Sequence, residues 1–204
     1  MKKEKKFFDD SVEWKPRFPT SHQQFHINKL EDFVGHLRFP FAQHRQTVSD
    51  FLFRSKGKST RSKGLDKYEF SANTFFFLPA YQISAHDLMS ADAKGFYCHF
   101  DTEIFNRKFI KQDIFQDFSF LEFTGNPLVI IDDATKVHVS NILTRLEFEY
   151  NNNSKVNLAI ISINLLALLH EVKQFSKKEK ITENAAFRIT QQYKSKLARY
   201  IYEV

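Results

Sequence analysis

Thr74-Phe75-Phe76-Phe77-Leu78 is a five-residue run of bulky side chains with Ser71-Ala72-Asn73 before it and Pro79-Ala80 after it. A short aromatic run bounded by turn formers reads as a β-strand. Phe51-Leu52-Phe53, Lys67 to Phe70 and Gly95 to Phe100 repeat the pattern, with turn formers at Ser55 to Gly64 and at Ser90 to Lys94. Several short strands at this spacing predict an all-β barrel or sandwich over residues 41–125. Residues 1–40 carry charges, Pro16, Pro19 and Pro40, and the apolar Phe25, Ile27, Leu30 and Phe33. They read as an N-terminal arm with one or two strands or a short helix.

The period then changes. Val139, Ile142, Leu143, Leu146 and Tyr150 mark one helix, and Leu158, Ile161, Leu165, Leu168, Leu169 and Val172 a second. Asn151 to Ser154 breaks the first and is expected to cap the next. The short connection predicts an antiparallel hairpin over 126–173. The second helix is apolar nearly all round, so it is buried on more than one side. One side faces the β domain. The other faces either the first helix alone or a second copy of the chain, with Ile142, Leu146, Leu165 and Leu169 as the expected homodimer interface. Residues 174–186 are polar without apolar period and read as a linker. In 187–204, Ile189, Tyr193, Leu197 and Ile201 form a four-residue stripe, one face of a C-terminal helix. That face packs either on its own domain or on an element that does not follow. Overall the fold class is α+β, mainly β.

Twenty-four phenylalanines against five glycines suit an interior filled by rings, or an apolar pocket. The formal charge of +6 is compatible with nucleic-acid contact, but the basic residues do not gather in one recognition element. Arg54, Lys56, Lys58, Arg61, Lys63 and Lys67 read as a solvated hairpin tip, and Lys173, Lys177, Lys178 and Lys180 as part of the solvated linker. A single cysteine, Cys98, excludes an intrachain disulfide and fits a buried strand position in a reducing cytosol. The basic start Met1 to Lys6 lacks the apolar core of a signal peptide, and no run reaches the roughly 18 apolar residues of a membrane span. A soluble, cytoplasmic protein with no membrane partner is expected. Gly-rich phosphate loops, Gly-x-Ser-x-Gly, Cys-x-x-Cys and His-Glu-x-x-His are all missing. Asp132-Asp133 reads as the start of the first helix rather than an acid–base pair.

Arg188-Ile189-Thr190-Gln191-Gln192-Tyr193-Lys194, through Ile201-Tyr202, resembles the opening helix of the DNA-binding domain in AraC/XylS-type bacterial transcription regulators. The order β domain, helical hairpin, polar linker, basic helix is similar to theirs over about residues 41–204. The resemblance implies a cupin-like jelly-roll barrel that binds an effector, dimerising helices, and a helix-turn-helix domain of which 187–204 is only the start. On this reading the chain is cut just inside its second domain and meets DNA only through the part that is missing.

His44, Gln46, Asp50 and Gly57 have the spacing of the first cupin motif, His-x-His, three or four residues, Glu, six residues, Gly. Pro79-Ala80-Tyr81-Gln82-Ile83 resembles the Pro-Gly-x-x-His turn of the second. Of these metal-binding positions only His44 keeps its residue. A transition-metal site needs about three suitable ligands, so no metal and no cofactor are expected, unless His86 and His99 rejoin His44. If His44 points inward, strand alternation carries Gln46, Val48, Asp50, Leu52 and Arg54 inward too. The resemblance adds that Tyr97 and His99 point inward, with Tyr97 aligned with an aromatic residue that packs on a sugar. The expected ligand-binding set is therefore His44, Gln46, Asp50, His86, Tyr97 and His99, suited to a sugar or another small polar molecule. No catalytic residue is expected. The alternatives are a cupin metalloenzyme (isomerase or dioxygenase), a standalone cupin-like binding protein, and a basic module using the Arg54–Lys67 hairpin on RNA or anionic surfaces.

Overall fold

The computed structural model describes residues 24–105, 114–151 and 156–176, together with Tyr193. Thr74–Leu78 is a strand, β6, with all of its residues buried. Phe75 and Phe77 belong to one apolar cluster and Phe76 to another, because successive side chains leave opposite faces. A continuous apolar run is what a strand covered on both faces requires.

The other strands are β1 (Phe25–Lys29), β2 (Phe41–Arg45), β3 (Ser49–Lys56), β4 (Ser59–Lys63), β5 (Asp66–Phe70), β7 (Ile83–Met89), β8 (Lys94–Phe100) and β9 (Leu128–Ile130). They form two antiparallel sheets, a five-stranded one in the order β1-β8-β3-β6-β9 and a four-stranded one in the order β2-β7-β4-β5. The sheets stack as an open sandwich, so the expected jelly-roll architecture is present without a closed barrel. β1 and β9 lie on either side of the 41–125 range and supply both edges of the larger sheet. Gly95 (φ +137) sits where β8 passes β3; a Cβ there would run into the Phe53 carbonyl oxygen. Only glycine takes this conformation and this approach without strain.

A short helix, α1 (Ile114–Asp117), and a single 3-10 turn at Ser119–Leu121 lead to the hairpin. Phe120 packs on Phe77, ring centroids 4.3 Å apart, on the helix-facing side of the larger sheet. α2 spans Asp133–Asn151 and α3 Leu158–Lys173. Asp132 starts α2 by accepting from the Thr135 amide at 2.7 Å. The cap of α3 is Asn157, which accepts from Ala159 and Ile160 at 3.1 and 3.3 Å. That corrects the expected cap at Asn151 to Ser154: Asn151 ends α2, and only a side chain next to the first free amides can satisfy them. Leu143 and Leu146 from α2 and Ile161, Leu165, Leu168 and Leu169 from α3 are fully buried with Phe51, Phe53, Phe75, Phe77, Cys98 and Phe100 of the sheet. Each side chain buried in this layer contributes about 1.5–3 kcal/mol.

Two expectations are corrected here. Ser55 to Gly64 is not one long turn, since β4 runs through it between positive-φ glycines, Gly57 (φ +89) and Gly64 (φ +64). Its polar sequence hid a strand whose charged side chains have partners inside the sandwich. Leu146, Leu165 and Leu169 are 0% exposed in the chain's own core and present nothing to a second copy. Ile142 is half-buried, and the exposed apolar side chains of the hairpin are Val137, Phe148 and Ile163. The linker from 177 onward and the 187–204 helix lie outside the described residues, apart from the exposed Tyr193. Among the described residues no helix is long and apolar enough to cross a membrane.

Leu165→Ala should cost about 2–5 kcal/mol, the usual range for an emptied core site, and leave the oligomeric state unchanged. Urea unfolding and sedimentation velocity test the two halves of that statement.

Candidate binding site between the sheets

The two faces of the larger sheet differ in chemistry. Towards the helices it is apolar. Towards the smaller sheet, alternation on β3 turns Asp50, Leu52 and Arg54 inward, and on β8 it turns Tyr97 and His99 inward. The smaller sheet answers with Arg61 and Lys63 from β4 and His86 from β7. Arg54, Arg61 and Lys63 are 0%, 2% and 6% exposed. Half of the cluster expected as a solvated hairpin tip is therefore interior.

Each buried cation is held differently. Arg61 makes a two-pronged contact across the sandwich, Nη1 to Asp50 Oδ1 at 2.7 Å and Nη2 to Asp50 Oδ2 at 2.9 Å. Its guanidinium also lies over the rings of Phe76 (5.3 Å) and Tyr97 (5.8 Å). Burial alone would lower its pKa, but the Asp50 carboxylate offsets that and holds it above the usual arginine value. Lys63 donates to the carbonyls of Glu122 and Gly125, both at 2.6 Å. Burial brings its pKa down to about 8. Arg54 donates through Nη2 to Ser59 Oγ, and its pKa falls to about 10 through burial.

A cavity of about 30 Å³ lies beside these groups, lined by His44, Arg61, His86, Tyr97, Leu52 and Met89 and closed by Leu30, Phe33, Leu37 and Phe41. Of the six expected ligand-binding residues, His44, His86 and Tyr97 line it. Gln46 stands behind, donating to the Tyr97 hydroxyl at 3.2 Å. Asp50 faces the same interior but is engaged by Arg61. His99 is fully buried, edge-on to Tyr97 at 4.5 Å, and does not line the cavity. Sequence reasoning missed Arg61 because it fell in a supposed turn, and missed Leu30, Phe33 and Leu37 because the arm carried no regular period. Burial lowers the pKa of His44, His86 and His99, helped at His86 by Arg61 and Arg54. Burial also raises that of Tyr97 well above its ordinary value.

A larger hollow of about 470 Å³ opens on the outer face of the smaller sheet, between Phe41, Ser62, Leu65 and Ala85. The Lys67–Asp87 ion pair, 2.8 Å, stands beside it. It gathers few converging polar groups, so the interior is the stronger candidate. Among the described residues no three of His, Cys, Asp and Glu converge to hold a metal. The interior can bind and orient a small polar group.

The interior also reaches the helices. His26 on β1 pairs with His99, with ring centroids 6.1 Å apart. Its Nδ1 lies 2.6 Å from the hydroxyl of Tyr150, in the last turn of α2. Asn28 donates to its other ring nitrogen at 2.8 Å. Hydrogen bonds at either end and ring contacts between them thus run from Gln46 and Tyr97 through His99 and His26 to α2.

Asp50→Asn should destabilise the chain by about 3–5 kcal/mol, because it strands the buried Arg61 charge. Replacing both partners, Asp50→Leu with Arg61→Met, should restore most of the loss in denaturant titrations. The histidines set a pH dependence. Their folded pKa values lie below the ordinary 6.5, so below pH 6.5 the unfolded chain takes up protons that the folded chain does not. Stability should therefore fall with pH below 6.5, with each histidine contributing a slope of up to about 1.4 kcal/mol per unit. Chemical denaturation at pH 7, 6 and 5 should show the slope reduced in His86→Gln/His99→Gln.

No family model matches the chain, and no curated protein matches it. Among solved structures it is similar to the AraC-like transcriptional activator CuxR, with 14% identity over 64% of this chain and 42% of that one and a TM-score of 0.41. It is also similar to ToxT from Vibrio cholerae, with 13% identity over 80% of this chain and 61% of that one and a TM-score of 0.42. For wild-type ToxT with an unsaturated fatty acid bound, the values are 15%, 85%, 64% and 0.40. The chain spans 42% to 64% of the length of these three structures. The structural neighbours of this chain are AraC-family regulators.

Proposed function

We propose that this chain is the effector-sensing part of an AraC-type transcription regulator, working in the cytoplasm without a metal and without catalysis. A small molecule is held between the two sheets by His44, Arg61, His86 and Tyr97, with Gln46, Asp50 and His99 supporting them. The observation that carries the reading is the row of hydrogen bonds and ring contacts from the cavity wall through His99 and His26 to Tyr150 on α2. Interiors built only for stability seldom bury this many ionisable groups, since each costs free energy unless it is paired. The cavity is about the size of one water, so the effector enters only if Leu30, Phe33 and Leu37 move. A ligand with different affinity for the two positions would shift α2 with them.

In this reading residues 1–40 form the arm, 41–125 the effector domain, 126–173 a hairpin that also serves a homodimer, 174–186 a linker and 187–204 the start of a helix-turn-helix domain. The apolar side chains of the hairpin open to a second copy are Val137, Phe148 and Ile163, with Ile142 half-buried against the chain's own core. On this reading any DNA binding by residues 1–204 is weak and salt-dependent.

Hydrogen exchange on the chain, with and without a compound that raises its Tm, tests the switch. Protection should change at Asp133–Asn151 as well as at the strands. A compound that binds between the sheets yet leaves α2 exchange untouched would sink it.

A further inference from the structure

The wall of the cavity between the sheets is mostly apolar, with Leu30, Phe33, Leu37 and Met89 among its side chains. Its polar atoms come from His44, Arg61, His86 and Tyr97. The Arg61 charge is matched, because both of its Nη atoms bond Asp50. Its Nε is buried and has no hydrogen-bond partner among the described residues, so it is a donor in need of an acceptor. His44 is the reverse. Its Nδ1 donates to the Ala42 carbonyl at 3.0 Å, and burial keeps the ring neutral. A neutral imidazole has one N–H, so Nε2 carries a lone pair and accepts. The contact of that nitrogen with Gln46 Nε2 is 3.5 Å, at the long limit of a hydrogen bond.

The wall as a whole carries no unmatched charge. Burial keeps His86 neutral and the Tyr97 hydroxyl protonated. Arg54 and Lys63 make the interior positive, but neither lines the cavity: Arg54 is turned to Ser59, and Lys63 to the carbonyls of Glu122 and Gly125. A hydroxyl serves one donor and one acceptor with a single oxygen, and a cavity of about 30 Å³ has room for one such group. A carboxylate or a primary amide brings two heteroatoms. A carboxylate also has no proton to give His44, so its lone pairs meet the lone pair of Nε2. A sugar would set its remaining hydroxyls against Leu30, Phe33 and Leu37, where the wall is apolar.

We propose that the interior takes a neutral alcohol with an apolar body, its hydroxyl between Arg61 Nε and His44 Nε2 and its body against Leu30, Phe33 and Leu37. The proposal rests on the reading that the space between the sheets is the effector site, and it names the chemical class of that effector. The hydroxyl accepts from Arg61 and donates to His44. The body takes its place as the three apolar side chains move aside.

The test is the Tm of the purified chain with benzyl alcohol and 1-hexanol, against benzyl methyl ether, benzoate and glucose at equal concentration, pH and ionic strength. At about ten times its Kd, an alcohol should raise the Tm by about 4 °C, and the ether, the acid and the sugar should not. His44→Leu should weaken the alcohols about tenfold, the worth of one net hydrogen bond. An equal rise with the ether overturns the donated hydrogen bond, and with it the alcohol assignment, while effector binding between the sheets stands. A larger rise with benzoate or glucose overturns the assignment in the same way and leaves the effector reading intact. An alcohol response that His44→Leu leaves unchanged puts the ligand elsewhere and overturns the proposal. So does a response to neither alcohol. The wild-type comparison of alcohol with ether decides the matter even if His44→Leu does not fold.

Discussion

The Asp50–Arg61 pair is the contact on which the sandwich depends. It joins β3 of the larger sheet to β4 of the smaller, with both side chains 2% exposed. A pair this deep adds little net stability over a well-packed apolar pair, because both charges must first leave water. Its value is in alignment. A two-pronged contact has one good geometry, so it fixes how the sheets lie across one another. Apolar contacts such as Leu52, Phe70 and Phe76 tolerate sliding; a guanidinium on a carboxylate does not.

This explains how the molecule divides its labour. The layer between the larger sheet and the helices is phenylalanine and leucine and holds the chain together. The layer between the sheets mixes apolar side chains such as Leu52, Phe70 and Phe76 with buried ionisable ones, holds a cavity, and is ordered by directed contacts. A single sheet, with rings on one side and ionisable groups on the other, serves both. Tyr150 is where the layers meet, since it packs on Phe25 at 6.1 Å and bonds His26 round the edge of β1.

How far the sequence could be read follows from the same division. Thr74–Leu78 matches its strand residue for residue, and the helical hairpin was visible, because apolar burial leaves a periodic trace. β4 left none. Ser-Thr-Arg-Ser-Lys looks like a solvated turn, and only Asp50, Glu122 and Gly125, distant in sequence, make it an interior strand. His44 was reachable from motif spacing and Tyr97 through the family resemblance, but Arg61 was reachable from neither. Alternation from His44 did point Arg54 inward, and the basic composition of its neighbours argued the other way. The hairpin leucines were recognised as buried but assigned to the wrong partner, since periodicity tells that a face is covered and not by what.

The strand order has a consequence for how the protein behaves when crowded. Every sheet edge is a row of open amides and carbonyls on which another chain can grow. Here each of the four edges is blunted. β1 lies against α2, with Lys29 and Glu147 2.8 Å apart across the join. β9 is three residues long. β2 breaks its register between Phe41 and His44. β5 carries Asp66, Lys67 and Glu69 on an exposed rim. Among the described residues no long flat edge strand is presented to neighbours, and the phenylalanines of β3, β6 and β8 stay inside the fold instead of seeding a fibre.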